Sequence, residues 1–279
     1  MRRVLQLKKM NEFQQYLNEN ERSSLTVQKY MHDIKCFFDY VGGKEISKQS
    51  VMEYKKMIGG SYAVTSANSM IAALNSFFRF CGWHELCVRQ FRVQRKAYCS
   101  EAKELTRAEY FRLLDAANKK HNERINLIIQ TICGTGIRVS ELQYITVEAL
   151  NNGEADVSCK GNNRKIFIVK ELKKKLIRYV KEKKLTKGPI FVTRTGRPIS
   201  RNNIWKEMKA LCEQAQVAPS KVFPHNLRHL FARTFYGIEK DIAKLADILG
   251  HASINTTRIY ILTTGSEHKR KMEHLRLII

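Results

Sequence analysis

Three short motifs in this 279-residue chain hold side chains suited to gripping a phosphate. In Pro224-His225-Asn226-Leu227-Arg228-His229 the proline suits a helix's first turn. His225 and Arg228, three apart, then share a face beside free N–H groups that attract anions. The same pair would also sit, merely solvated, on an amphipathic helix buried through Leu227, Leu230 and Phe231. In Leu249-Gly250-His251-Ala252-Ser253-Ile254-Asn255-Thr256-Thr257-Arg258-Ile259-Tyr260 a glycine turn sets His251 just before a new helix, and Tyr260 follows nine residues on. Phenols are weak nucleophiles near their free pKa of about 10, and the chain has 11 tyrosines. The segment therefore reads also as a helix-turn-helix, with a support helix over 242–249 and a recognition helix over 254–261. A third cation, Arg138, stands at the glycine turn of Gly134-Thr135-Gly136-Ile137-Arg138-Val139-Ser140-Glu141-Leu142. That turn lacks the Gly-Lys-Ser/Thr of a Walker loop and follows no strand, which argues against nucleotide binding.

Helices must position these groups. Val27, Tyr30, Met31, Ile34, Phe37, Phe38 and Val41 recur at helical steps over 24–41, Ser47 opens a second helix with Val51, Tyr54 and Ile58 inward, and 65–81 gives a third. With a shorter set around Phe13, Tyr16 and Leu17 they form a bundle over 1–87. From 88 to 103 periodicity lapses while arginines and lysines accumulate, so a basic linker is expected. The domain over 104–279 opens on the capping box Thr106-Arg107-Ala108-Glu109. An apolar helix, 125–133, leads into the Arg138 turn. Period-two alternation then predicts strands over 155–159 and 164–169 across a Gly161-Asn162-Asn163 turn, with Lys160 at the tip. A short strand over 189–192 and helices around 201–215, 225–236, 241–249 and 255–261 complete the chain. The fold class is mainly α: an N-terminal helical bundle, then a mixed α/β domain with a small antiparallel sheet.

Lys and Arg number 50 against 26 Asp and Glu, a formal charge of +24, and 43% of residues are hydrophobic. A core can form and disorder is excluded. The charge calls for a polyanion, and its spread along the whole chain favours nucleic acid over a membrane surface. No apolar run approaches the ~20 residues of a membrane span. The seven scattered cysteines suit reduced thiols, and no C-x-x-C pair argues for zinc. A cytoplasmic protein without metal or other cofactor is expected.

Arg138, Lys160, His225, Arg228, His251 and Tyr260, in this order, resemble the signature of the tyrosine recombinases (phage integrase family). The likeness runs through Gly-Ile-Arg-Val-Ser-Glu-Leu, Cys-Lys-Gly-Asn-Asn-Arg-Lys, His-Asn-Leu-Arg-His and Leu-Gly-His followed by Thr-Thr-x-x-Tyr, in a compact Xer-like layout whose helical N-terminal region resembles a core-binding, SAM-like domain. The resemblance implies that Tyr260 is joined to a DNA 3′ phosphate while a 5′ hydroxyl leaves. Arg138 and Arg228 would face the nonbridging oxygens, His251 would hydrogen-bond the phosphate, His225 would take the phenol proton, Lys160 would protonate the leaving oxygen and Glu141 would orient the network. It also implies a homotetramer on two double-stranded DNA sites and a Holliday junction, with no need of ATP or metal.

Candidate DNA contacts are Lys29 and Lys35 on the first bundle, Arg92, Arg95 and Lys96 in the linker, and Arg201, Asn202 and Asn203 after the Thr195-Gly196-Arg197-Pro198 turn. The apolar tail positions Met272, Leu275, Leu277, Ile278 and Ile279 would dock on a neighbouring subunit or pack in their own, and the sequence leaves both open. Integration or excision of a mobile element is the expected use, with Xer-type dimer resolution or DNA inversion as alternatives. A type IB topoisomerase would share the chemistry, and a non-catalytic helix-turn-helix regulator would not need Tyr260.

Overall fold

The computed structural model describes residues 7–93, 103–159, 162–260 and 274. Two compact units, Met1–Arg95 and Lys96–Ile279, are each built mainly of helices, and no described helix is long and apolar enough to cross a membrane.

The first unit is a bundle of α1 (Leu7–Glu19), α2 (Ser24–Val41), α3 (Lys48–Ser61) and α4 (Val64–Phe80). Its ends are written in the sequence. The Ser23 hydroxyl accepts from the Thr26 amide and left-handed Gly42 closes α2, while Ser47 and Ser50 form a reciprocal capping box on α3. Phe13, Ile34, Phe37, Ile58, Phe77 and Phe78 are fully buried in one core, as the apolar spacing requires. The first residues of the stretch expected as linker lie on α4. The Asn75 side chain donates to the Val88 carbonyl (2.8 Å) and accepts from its amide (3.0 Å), and Asn68 does the same for Phe91 (2.9 and 2.8 Å). Two side-chain amides seven residues apart thus satisfy backbone groups of a segment that belongs to no helix or strand. Lys29 pairs with buried Asp33 at 2.5 Å; Lys35 and Arg92 are exposed. Arg95 and Lys96 lie outside the described residues.

The second unit opens with α5 (Arg107–Lys119), capped by the Thr106–Glu109 box, and α6 (Glu123–Thr135), which ends at left-handed Gly136. A 3-10 turn, Val139–Tyr144, and α7 (Val147–Asn152) lead to the hairpin of β1 (Glu154–Cys159) and β2 (Asn162–Phe167). Then follow α8 (Lys170–Glu182), α9 (Arg201–Lys209), α10 (Cys212–Ala215), α11 (Pro224–Glu239), α12 (Ile242–Leu249) and α13 (Ile254–Tyr260). Ile125, Ile128, Ile129, Ile132, Leu176 and Leu227 centre its core. A smaller cluster joins Ala232, Leu245, Leu249 and Tyr260, with Phe231 and Phe235 packed against it.

Three local expectations differ from what forms. The second strand begins earlier than expected, because Asn162 and Asn163 already pair with Cys159 and Ser158. The segment 189–192 is not a strand: it makes single bridges, Thr146 with Pro189 and Val192 with Pro198, each involving a proline that has no N–H to extend a ladder. The helix expected over 201–215 is divided into α9 and α10.

Candidate active site

Four elements of the second unit converge on one cluster. Arg138 follows the left-handed cap of α6, His225 stands in the first turn of α11 and Arg228 in the second, His251 follows the left-handed Gly250 that ends α12, and Tyr260 is the last residue of α13. Pro224 opens α11 without a side-chain cap at Phe223, so its first-turn amides are not claimed by a capping side chain. Arg138, His225 and Arg228 line a cleft of about 630 Å3 together with Arg201, Asn202 and Trp205 of α9.

Arg228 is 1% exposed. Its guanidinium donates to the carbonyls of Gly136 (2.5 Å) and Leu249 (2.6 Å) and to His251 Nε2 (3.0 Å). Its Nε is buried without a hydrogen-bond partner among the described residues. Burial first, then Arg138, hold its pKa down to about 10. A cation so deep, anchored by carbonyls instead of a carboxylate, is costly unless an anion joins it. Arg138 is bound to Glu141 in two ways: its guanidinium donates to Oε1 at 2.9 Å and its own amide to Oε2 at 2.8 Å. It reaches on to the Gly250 carbonyl at 3.1 Å. Glu141 is 1% exposed. The last carbonyls of α12 thus hold cations, as the negative end of a helix favours.

Tyr260 is buried, and its hydroxyl lies 3.3 Å from His225 Nε2. Its ring stacks on His229 (centroids 4.2 Å apart, planes 17° from parallel), and the Arg228 guanidinium carbon is 5.8 Å from the ring centroid. His225 keeps an exposed edge, yet partial burial, then Arg228, Arg138 and Arg201, hold its pKa below the ordinary 6.5. It is therefore neutral at pH 7 and has a lone pair for a phenol proton. His251 is pushed down to about 4, by burial and then by Arg228, Arg138, Arg164 and His225. Since Arg228 can only donate, His251 Nε2 is an acceptor here and Nδ1 carries the proton, 2.9 Å from the Thr257 hydroxyl. A hydrogen bond from Nε2 to a phosphate requires that this arrangement change.

Of the residues singled out in the sequence, Arg138, Glu141, His225, Arg228, His251 and Tyr260 come together, and Arg201 and Asn202 border them. Asn203 is exposed on α9 and is not part of the cleft wall. Lys160 lies outside the described residues. Among those described, no three His, Cys, Asp or Glu are grouped to hold a metal ion.

Three members were not anticipated. Arg164, on β2, donates to Glu141 Oε2 at 2.8 Å and to the Leu249 carbonyl. His229 stacks on Tyr260, and Thr257, fully buried, fixes His251. Period-two reading held the signal for Arg164, since it shares a strand face with buried Ile166 and Ile168. A charge on an apolar face needs a partner.

Comparison with known proteins places the chain in a family. Residues 103–266 match the phage integrase family and residues 10–85 the phage integrase N-terminal SAM-like domain. The chain is 28% identical to tyrosine recombinase XerA of Pyrococcus furiosus, over 99% of this chain and 96% of that one. It is 30% identical to tyrosine recombinase XerC of Lactobacillus delbrueckii subsp. bulgaricus, over 89% and 92%. The crystal structure of a XerH site-specific recombinase bound to difH substrate, in a pre-cleavage complex, shares the fold with a TM-score of 0.70 at 20% identity, covering 96% of this chain and 89% of that one. The chain belongs to the phage integrase family, the tyrosine recombinases, enzymes that cut and rejoin DNA strands.

Proposed function

We propose that this chain recombines DNA at specific duplex sites through a 3′-phosphotyrosine at residue 260. The observation that carries the reading is the Tyr260 hydroxyl at 3.3 Å from His225 Nε2, beside a buried Arg228. The Tyr260 oxygen attacks phosphorus, the P–O5′ bond breaks, the phenol proton passes to His225 and Lys160 protonates the leaving oxygen. Arg138 and Arg228 meet the charge that grows on the nonbridging oxygens. At ~4 Å and an effective dielectric of ~20 each contact is worth about 4 kcal/mol, some three decades of rate if made chiefly in the transition state. The ester conserves the bond energy, so a 5′ hydroxyl from another strand reverses the step without ATP.

The formal charge of +24 supports duplex DNA as the partner, and paired exchange calls for a homotetramer on two sites. Movement of a mobile element is the proposed use. Xer-type dimer resolution is the second reading, favoured by the Xer-named relative matched over 99% of the chain. The test uses duplexes that Tyr260→Phe protein selects from a random pool. Two such sites on a supercoiled plasmid should yield rearranged circles and Holliday junctions. Relaxation without exchange would instead mark a type IB topoisomerase, and binding without cleavage a regulator.

A further inference from the structure

Arg164 touches the anchors of both arginines assigned to the phosphate. One arm donates to Oε2 of Glu141, the carboxylate that holds Arg138; the other donates to the Leu249 carbonyl, which also accepts from Arg228. Its side chain is only 11% exposed and Glu141's 2%, so the pair is shielded from water. From these contacts we infer that Arg164 is a positioning residue for strand cleavage, setting the reach of Arg138 and the seat of Arg228 without touching DNA itself. The inference rests on the recombinase reading above.

The physical argument concerns how one carboxylate is shared. Arg138 now takes a single oxygen of Glu141 with its guanidinium and spreads its other arm to the Gly250 carbonyl. It holds this splayed pose because Oε2 is already occupied, by the Arg138 amide and by Arg164. An arginine beside a carboxylate with a free second oxygen closes on it as a two-bond fork. Removing Arg164 leaves only the Arg138 amide on that oxygen, which opens a position for the second guanidinium arm, lets Arg138 fold onto Glu141 and withdraws its donors from the cleft. The Leu249 carbonyl loses one of its two donors in the same stroke, which loosens the end of α12 that carries His251. Lysine at 164 could keep the charge next to Glu141, but its single ammonium lacks the planar fork that spans both anchors.

Single-turnover cleavage of a nicked suicide duplex, with binding measured separately, tests the inference. Arg164→Gln should slow cleavage about 30-fold or more, the scale of a sub-ångström misplacement of a catalytic group, while affinity stays within about threefold. Arg164→Lys should fall between. In an Arg138→Lys background, Arg164→Gln should cost clearly less than it does in the parent, because its part acting through Arg138 is already lost and only the part through the shared Leu249 carbonyl remains. Lys165→Gln, next to Arg164 on β2, which removes a surface pair with Glu154 of β1, should cleave normally. Cleavage by Arg164→Gln within threefold of the parent would overturn the inference, as would losses that multiply in the double variant. Should Arg164→Gln not fold, Arg164→Lys decides: a parental rate overturns the inference and a reduced rate with intact binding supports it. A parent chain that forms no covalent complex would overturn the recombinase reading first and this inference with it.

Discussion

Gly136→Ala should damage stability and cleavage together. Gly136 ends α6 at φ +66 and ψ 15, donates to the Ile132 carbonyl and offers its own carbonyl to Arg228. An added Cβ would lie 2.5 and 2.6 Å from two Phe231 ring carbons and 3.1 Å from a Leu249 methyl. Left-handed backbone costs an alanine about 1–2 kcal/mol, and overfilling a packed site costs a further 1–3 kcal/mol or so. The sum is about 2–5 kcal/mol. Gly196→Ala separates the two parts, since Gly196 has φ +77 and nothing near its would-be Cβ; it should lose only the ~1–2 kcal/mol backbone part. Urea unfolding measures both. Phe231 packs in the cluster that seats Tyr260, so Gly136→Ala should also cleave about 100-fold more slowly at temperatures where it remains folded, and Gly196→Ala should not. A Gly136→Ala protein no less stable than Gly196→Ala, cleaving at the parental rate, would refute the tight seating of α6 against α11 and α12.

Three further outcomes are expected. His225→Gln should cut single-turnover cleavage by about 100-fold or more; the parent's rate should fall with acid only below pH 6.5, because the base must be neutral and its pKa is lowered, and His225→Gln should lack that limb. His229 is pushed to about 4 by burial, then His225 and Arg228, so unfolding releases a group that binds a proton near 6.5. Its contribution is intact above pH 6.5 and is lost as pH falls toward 4, at most about 3 kcal/mol; His229→Phe, which keeps a ring under Tyr260, should flatten the acid side of a urea-midpoint profile. DNA affinity should fall with salt at about 0.9 in log K per log salt for each phosphate neutralised, and Lys35→Gln should lower that slope if Lys35 meets a phosphate, which filter binding over a salt series would show.

Helix ends were the most legible part of the fold. Ser47 and Thr106 announce α3 and α5 by local chemistry that needs no tertiary information. The Pro-Ile-Phe-Val stretch misled because apolar β-formers describe burial as well as pairing; Ile190 and Phe191 are buried but only isolated bridges form. Motif residues could be found because their types are unusual for their settings. Arg164, His229 and Thr257 act through residues 85, 31 and 6 positions away, and the first two of those separations are set by how elements pack. The Asn68 and Asn75 clamps were hidden for the same reason, since an asparagine inside an apolar helix face reveals a polar partner but not which one.

The central claim is that Tyr260 is the nucleophile. Incubating the chain with a labelled, nicked duplex bearing its selected site, denaturing it and sequencing the labelled peptide tests this most directly. A 3′ phosphate esterified to Tyr260, abolished by Tyr260→Phe with binding intact, is the expected result. Label on another side chain, or cutting with no protein attached, would contradict it.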